Sequence, residues 1–181
     1  MIKYKMRLFF LISILFACSN DTELVKEFIE LEDLPIEEIK AAEMLHTENG
    51  VLKLKIGAAN IKRFKDIQPN LVFSDGLELA FYDDSGFVKS VLTAFNAEIN
   101  ETNKIMTAFD KVVLTSREGN RLETEELIWD EKQNKIFTNK PVVITTRKEV
   151  IEGQGFQSNP DFSEYSITRI QGTFNFDTLT K

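Results

Sequence analysis

The chain has 181 residues, enough for one domain, and its 43% hydrophobic content with 15 Phe supplies an apolar core. One Cys excludes an internal disulfide framework, and one His leaves little for metal or nucleophilic chemistry. The formal net charge of −7 argues against nucleic acid as a partner, because phosphate binding needs clustered Lys and Arg.

Lys3, Lys5 and Arg7 precede the apolar run Leu8 to Ala17, and Leu15-Phe16-Ala17-Cys18 closes it. A cationic start, a greasy middle and a small residue before the cut make a secretory signal over residues 1–17. A cysteine at the cut resembles the lipobox of bacterial lipoproteins. That resemblance implies a mature chain that begins at Cys18, carries lipid on its thiol and works outside the cytoplasm. The alternative is a transmembrane anchor, but a spanning helix needs about 20 apolar residues, and this run stops at Ser19-Asn20-Asp21. Removing residues 1–17 takes Lys3, Lys5 and Arg7 and no acid, so −7 becomes −10.

Residues 18–41 are strongly acidic. Leu24, Val25, Phe28 and Ile29 offer one face of a short helix, and Pro35 breaks any longer one. This stretch is expected to be a lipidated, mostly flexible tether. From residue 42 to 176 the texture changes to strands. Val51 to Ile56 alternates apolar and charged residues, the period of a half-buried strand. Leu77 to Tyr82 does the same, Asp83-Asp84-Ser85-Gly86 turns, and Phe87 to Ala94 follows. Met106 to Ser116 and Arg121 to Trp129 flank a turn at Arg117–Asn120. Lys135 to Thr138, Val142 to Thr146, Glu149 to Phe156 and Tyr165 to Phe176 complete the series, and residues 177–181 are a tail. Turns rich in Gly, Asp, Asn and Ser recur at hairpin spacing. The fold class is therefore all-β and antiparallel. Gly50–Phe64, Gly86–Ile99 and Gly119–Phe137 read as a loose repeat, of the kind that stacks into one continuous fold.

The repeat carries specific words: GVLKLKIGAANIKRF (50–64), GLELAFYDDSGFVKSVLTAFNAEIN (76–100), FDKVVLTSREGNRLETEELIWDEKQNKIFTNKPVVIT (109–145) and IEGQGF (151–156). Together they resemble the LptC family, the lipopolysaccharide-export component on the periplasmic side of the inner membrane. The block 119–156 also resembles the bridge protein LptA. The resemblance implies an open β-jellyroll, two facing sheets with an apolar groove between them. Such a protein takes lipopolysaccharide from an inner-membrane ABC transporter at its N-terminal edge and passes it to an LptA-like bridge at its C-terminal edge. The edge candidates are Ala42–His46 and Tyr165–Phe176. Many family members are held by a spanning helix, whereas this chain is expected to be held by lipid, with the outer membrane as the other destination.

Alternation aims one residue in two at the interior, so the expected groove lining is Leu52, Leu54, Ile56, Leu79, Phe81, Val88, Leu92, Phe109, Val112, Leu114, Leu122, Leu127, Trp129, Ile136, Val142, Ile144, Ile151 and Phe156. Each is equally an ordinary core residue of a β-sandwich. No cofactor is expected. His46 reads as a solvated surface residue, Asp83-Asp84 and Glu125-Glu126 as solvated acid pairs rather than a glycosidase dyad. No phosphate loop, nucleophile elbow or HExxH helix occurs, so no enzyme is expected. Lys53, Lys55, Lys62, Arg63 and Lys65 form a basic cluster that suits either solubility or anionic headgroups. Gly153 and Gly155 suit a bulge or a close sheet approach. The alternative function is a β-rich lipoprotein that binds a protein partner and moves no lipid.

Overall fold

The computed structural model describes residues 34–171; the signal, Cys18, most of the tether and Gly172–Lys181 lie outside them. Ten strands account for most of what is described. They are β1 (Glu37–Glu48), β2 (Val51–Arg63), β3 (Leu71–Tyr82), β4 (Val88–Ala94), β5 (Asn96–Asn100), β6 (Ile105–Ser116), β7 (Arg121–Asp130), β8 (Lys135–Thr145), β9 (Val150–Ser158) and β10 (Tyr165–Gln171). Every pair is antiparallel, in the order β1-β2-β3-β4-β6-β7-β8-β9-β10, with β5 paired to β3 and β6. The β1–β2 hairpin shows why the sequence turns where it does. Glu48 sits opposite Val51, and both loop residues, Asn49 and Gly50, have positive φ (50° and 79°). A two-residue hairpin turn of that twist needs positive φ twice, and Asn-Gly meets the need at least cost.

Interruptions fall near the middle of the long strands, and they lie side by side. Ala41 in β1, Asp75 and Gly76 in β3, Asp110 and Lys111 in β6 and Gly155 in β9 take positive φ. Register shifts lie at Ala58–Asn60 in β2, Thr124–Ile128 in β7 and Thr138–Pro141 in β8. Phe95 separates β4 from β5. Several of these corners bond to one another. Gly76 N–H donates to the Phe95 carbonyl at 2.9 Å, and Phe95 N–H to the Asp110 carbonyl at 2.9 Å. The Asn96 amide donates to the Asp110 carboxylate at 2.7 Å, and the Thr124 hydroxyl to the Pro141 carbonyl at 2.9 Å. Bulges bend the strand that carries them, so a row of them folds one sheet into two facing layers. β4 and β5 are the two halves of one strand, with one half in each layer. The result is an all-β jellyroll.

The layers press their apolar faces together. Phe73, Leu79, Leu114, Leu122, Ile136 and Ile144 retain no exposed surface. Removing any one of the aliphatic members would cost about 2–5 kcal/mol. Corners also reset the alternation. In β2 the inward set runs Leu54, Ile56, Ala58 and then Ile61; in β7 it runs Leu122 and then Leu127.

Three sequence expectations change. The extended chain begins at Glu37, not at residue 42, because Glu37–Lys40 find backbone partners in Arg63–Asn60 despite exposed side chains on both faces. Lys135–Thr138 and Val142–Thr146 are not separate strands but the two arms of β8, bent at Asn139–Pro141. Leu71–Ser74, a run too short for alternation to register, forms the first arm of β3.

Candidate functional site

The space between the layers is filled on one side and partly empty on the other. Near its middle, Phe81 of β3 and Trp129 of β7 meet edge to face across the gap, centroids 5.3 Å apart at 88°. Toward β9 and β10 the loop Asn159–Glu164 closes the gap. Its Phe162 is fully buried, with ring centroids 5.4 Å from Phe156 and 5.2 Å from Tyr165. The buried Ser90 hydroxyl of β4 donates to the Pro160 carbonyl and ties this loop to the opposite layer. Phe162 holds φ at +57°, a costly conformation for an aromatic residue. The loop's own bonds keep it there: Phe162 N–H to the Asn159 carbonyl at 3.1 Å, and Glu164 N–H to Asn159 Oδ1 at 3.2 Å.

Toward β1 and β2 no loop among the described residues enters the gap. A cavity of about 190 Å³ is lined by Met44, Leu54, Ile56, Leu71, Ile99, Met106 and Trp129, with the polar His46, Glu101, Lys104 and Glu131. A second cavity of about 310 Å³ shares His46, Leu54, Trp129 and Glu131 with it and adds Glu48, Lys53, Phe81, Tyr82, Lys89, Asn134 and, from the Asn159–Glu164 loop, Pro160. The apolar cavity is smaller than the roughly 300–1,000 Å³ typical of ligand pockets. The Trp129 Nε1 atom is buried and has no acceptor, a state that costs about 1–3 kcal/mol.

Thirteen expected lining residues are buried inside the fold: Leu54, Ile56, Leu79, Phe81, Leu92, Val112, Leu114, Leu122, Leu127, Ile136, Val142, Ile144 and Phe156. Leu52, Trp129 and Ile151 are half-buried. Of the whole set, only Leu54, Ile56 and Trp129 border the apolar cavity. Two expectations fail. Val88 is exposed, because it opens β4 opposite Tyr82, past the register shift at Phe81–Tyr82. Phe109 points outward: its neighbour Ala108 is buried, while Phe109 borders an outer cleft with Phe95, Asn96, Asp110 and Glu126. Phe109 and Val112 would share a face only if the corner between them reversed the alternation. Asp110 and Lys111 bend β6 without doing so, and Ala108 and Val112 both stay inside. The sequence reading missed Met44, Leu71, Ile99 and Met106. Met106 was findable, since it shares the alternation of Ala108 and Val112. Phe162 had one signal only, an aromatic residue in an otherwise polar loop.

The basic cluster is largely neutralised. Asp84 pairs with Lys53; that hydrogen bond raises the lysine above its ordinary value and lowers the carboxyl. Lys55 reaches Glu43 at 2.7 Å, and Arg63 lies between Glu37 and Glu101 at 3.4 and 3.1 Å. Hydrogen bonds from Arg117 and from the Phe87 N–H hold the Asp83 carboxyl below its usual range, so this acid organises a turn. His46 is exposed on β1, 3.6 Å from Glu48. Glu125 is exposed and Glu126 half-buried on the outer cleft. A Cβ at Gly153 would come within 2.5 Å of the Ile167 Cγ2, so β10 lies against β9 only because that position is glycine. Gly155 combines a similar closeness to Thr168 with φ of +77°. Among the described residues no three His, Cys, Asp or Glu side chains gather to hold a metal.

A family model described as lipopolysaccharide-assembly, LptC-related, matches residues 8–167. The chain belongs to the LptC-related family. No curated protein matches it. An LptC-related chain has a role in lipopolysaccharide transport, in a family of transport components on the periplasmic side of the inner membrane. Among the described residues the two layers close on each other over much of the interior, and the apolar cavity lies beside β1 and β2.

Proposed function

We propose that this LptC-related protein receives the acyl chains of lipopolysaccharide from an inner-membrane ABC transporter and passes them to an LptA-like bridge. Lipid enters between the layers beside β1 and β2. One observation carries the reading: an apolar cavity lies between facing sheets beside β1 and β2, where no loop among the described residues covers it. Cys18 carries the lipid that holds the chain at the inner membrane. β1 and β10, the end strands of the sheet among the described residues, offer their outer edges to the transporter and the bridge respectively.

The energetics suit a passive conduit. Each methylene moved from water into an apolar site gains about 0.8 kcal/mol. Here an entering chain displaces side chains that already pack against one another, so much of that gain cancels. Binding is then weak enough to reverse, and a transporter's ATP hydrolysis supplies direction. The filled interior beyond Phe81 favours the rival reading, a scaffold that binds protein and carries no lipid. A photo-crosslinker separates the two. Placed at Met44 or Ile99 it is expected to capture lipopolysaccharide in cells, while the same group at the outward Phe109 captures none. Absence of lipid at both inner positions in folded protein, or equal capture at Phe109, would reject transport through this slot.

A further inference from the structure

The apolar cavity and its polar neighbour adjoin, with His46, Leu54, Trp129 and Glu131 in the walls of both, a hydrocarbon lining on one side and a charged one on the other. Most charges in the polar cavity are already matched. Lys53 pairs with Asp84, His46 lies 3.6 Å from Glu48, and Glu131 lies 3.6 Å from Lys104. Lys89 differs. It is half-buried, and among the described residues it makes no ion pair. Its charge is near enough to Asp84 and Asp161 to pull both carboxyls down, yet it bonds to neither. The buried indole N–H of Trp129, a residue that lines both cavities, is a second donor without an acceptor.

We propose that the polar cavity seats a phosphate of a phosphorylated acyl amphiphile on Lys89, and that Trp129 donates to the ester or amide carbonyl joining its hydrocarbon to the sugar. The proposal rests on the transport reading and names which part of the ligand lies where. An unpaired, half-buried ammonium gains most from a phosphate, since charge-assisted bonds are the strong ones. The indole N–H is sealed in the closed slot, and it gains its bond when an incoming chain parts the layers. One ligand thus satisfies both unmatched donors while its tails occupy the cavity beside Met44 and Ile99.

The test uses the purified full chain with phosphorylated lipid A, fully dephosphorylated lipid A and inorganic phosphate. Lys89→Gln is expected to weaken binding of the phosphorylated lipid about tenfold, a change of about 1.4 kcal/mol, and to leave the dephosphorylated lipid unchanged. Lys89→Arg is expected to restore the affinity. Trp129→Phe is expected to weaken both lipids alike, about threefold, because both carry the carbonyl. Inorganic phosphate is expected to displace neither lipid. Equal binding of both lipids by wild type and Lys89→Gln overturns the phosphate seat and leaves the transport reading standing. Displacement by inorganic phosphate also overturns it, since the site would then serve free anions. Wild-type protein that binds neither lipid overturns the transport reading and this proposal together.

Discussion

The two sides of the slot are built from the same kind of strand yet end in opposite states. Beside β9 and β10, Phe162 enters from a loop and packs its ring fully inside. Beside β1 and β2, no described residue takes the equivalent position, and Met44, Ile99 and Met106 line a cavity. The difference lies in the connections and not in the strands. Asn49-Gly50 is too short to fold back over the gap, whereas Asn159–Glu164 is long enough to place a ring in it. A jellyroll that carries its own plug on one side has a defined entrance on the other.

Truncating the plug tests that contrast with the largest expected effect. Phe162→Ala is expected to cost about 3–5 kcal/mol, the usual price of deleting a buried aromatic ring, and to lower Tm by roughly 10–15 °C. Met44→Ala, at a half-buried position beside existing space, is expected to cost less than about 1 kcal/mol. Thermal and urea unfolding of the two variants make the measurement. Equal losses would mean that the two sides are packed alike and that the entrance is no weaker than the plug.

The sequence made the strands legible because alternation is local: Val51–Ile56, Leu77–Tyr82 and Arg121–Trp129 all fall within observed strands. It made the family legible through the words that span the hairpins. What it hid depends on the corners. Val112 and Leu114 are buried, but Phe109, grouped with them, points outward, because no local pattern reveals how a corner handles alternation. The entrance was hidden for another reason. Met44, Leu71, Ile99 and Met106 come from four strands, and only the folding of the sheet along its corners brings them to one cavity. Phe162 was hidden because a lone aromatic residue in a polar loop carries no periodicity. The acidic run at Glu37–Lys40 reads as solvated, and its side chains are, but its backbone pairs with β2 all the same.

A second variant sharpens the contrast with a smaller effect. Ser90→Ala removes the hydroxyl that ties the plug to the facing layer and leaves the Pro160 carbonyl without that donor. The expected loss is about 1–3 kcal/mol. Hydrogen exchange is expected to quicken at the amides of Phe162 and Glu164 while β1 and β2 keep their rates, because the bond spans only the plugged side. Faster exchange in β1 and β2 to the same degree would show that the two sides open as one unit and that the plug is no separate element.

Acid gives the smallest effect and distinguishes the sides by charge. Burial pushes the Asp161 carboxyl up, but the Ser163 hydroxyl and N–H, donating to Oδ1 at 2.6 and 3.0 Å, together with nearby Lys89, hold it below its ordinary value. A carboxyl depressed in the folded state contributes stability above its unfolded value of 3.8, and that contribution is lost as pH falls through the lower, folded value. Near neutral pH the plug therefore keeps the full benefit, and its grip weakens only below about pH 4, by less than about 1 kcal/mol after solvent screening. Carbon-detected NMR of the Asp161 carboxyl is expected to show a midpoint below the ordinary aspartate range, with the Ser163 amide shifting in step. Ser163→Ala removes one of the two donors and is expected to move that midpoint upward while Asp84, paired with Lys53 on the open side, keeps its own. If Asp161 titrates at its ordinary value in the wild-type chain, the loop is not held by these bonds, and the strained φ at Phe162 must be sustained by ring packing alone.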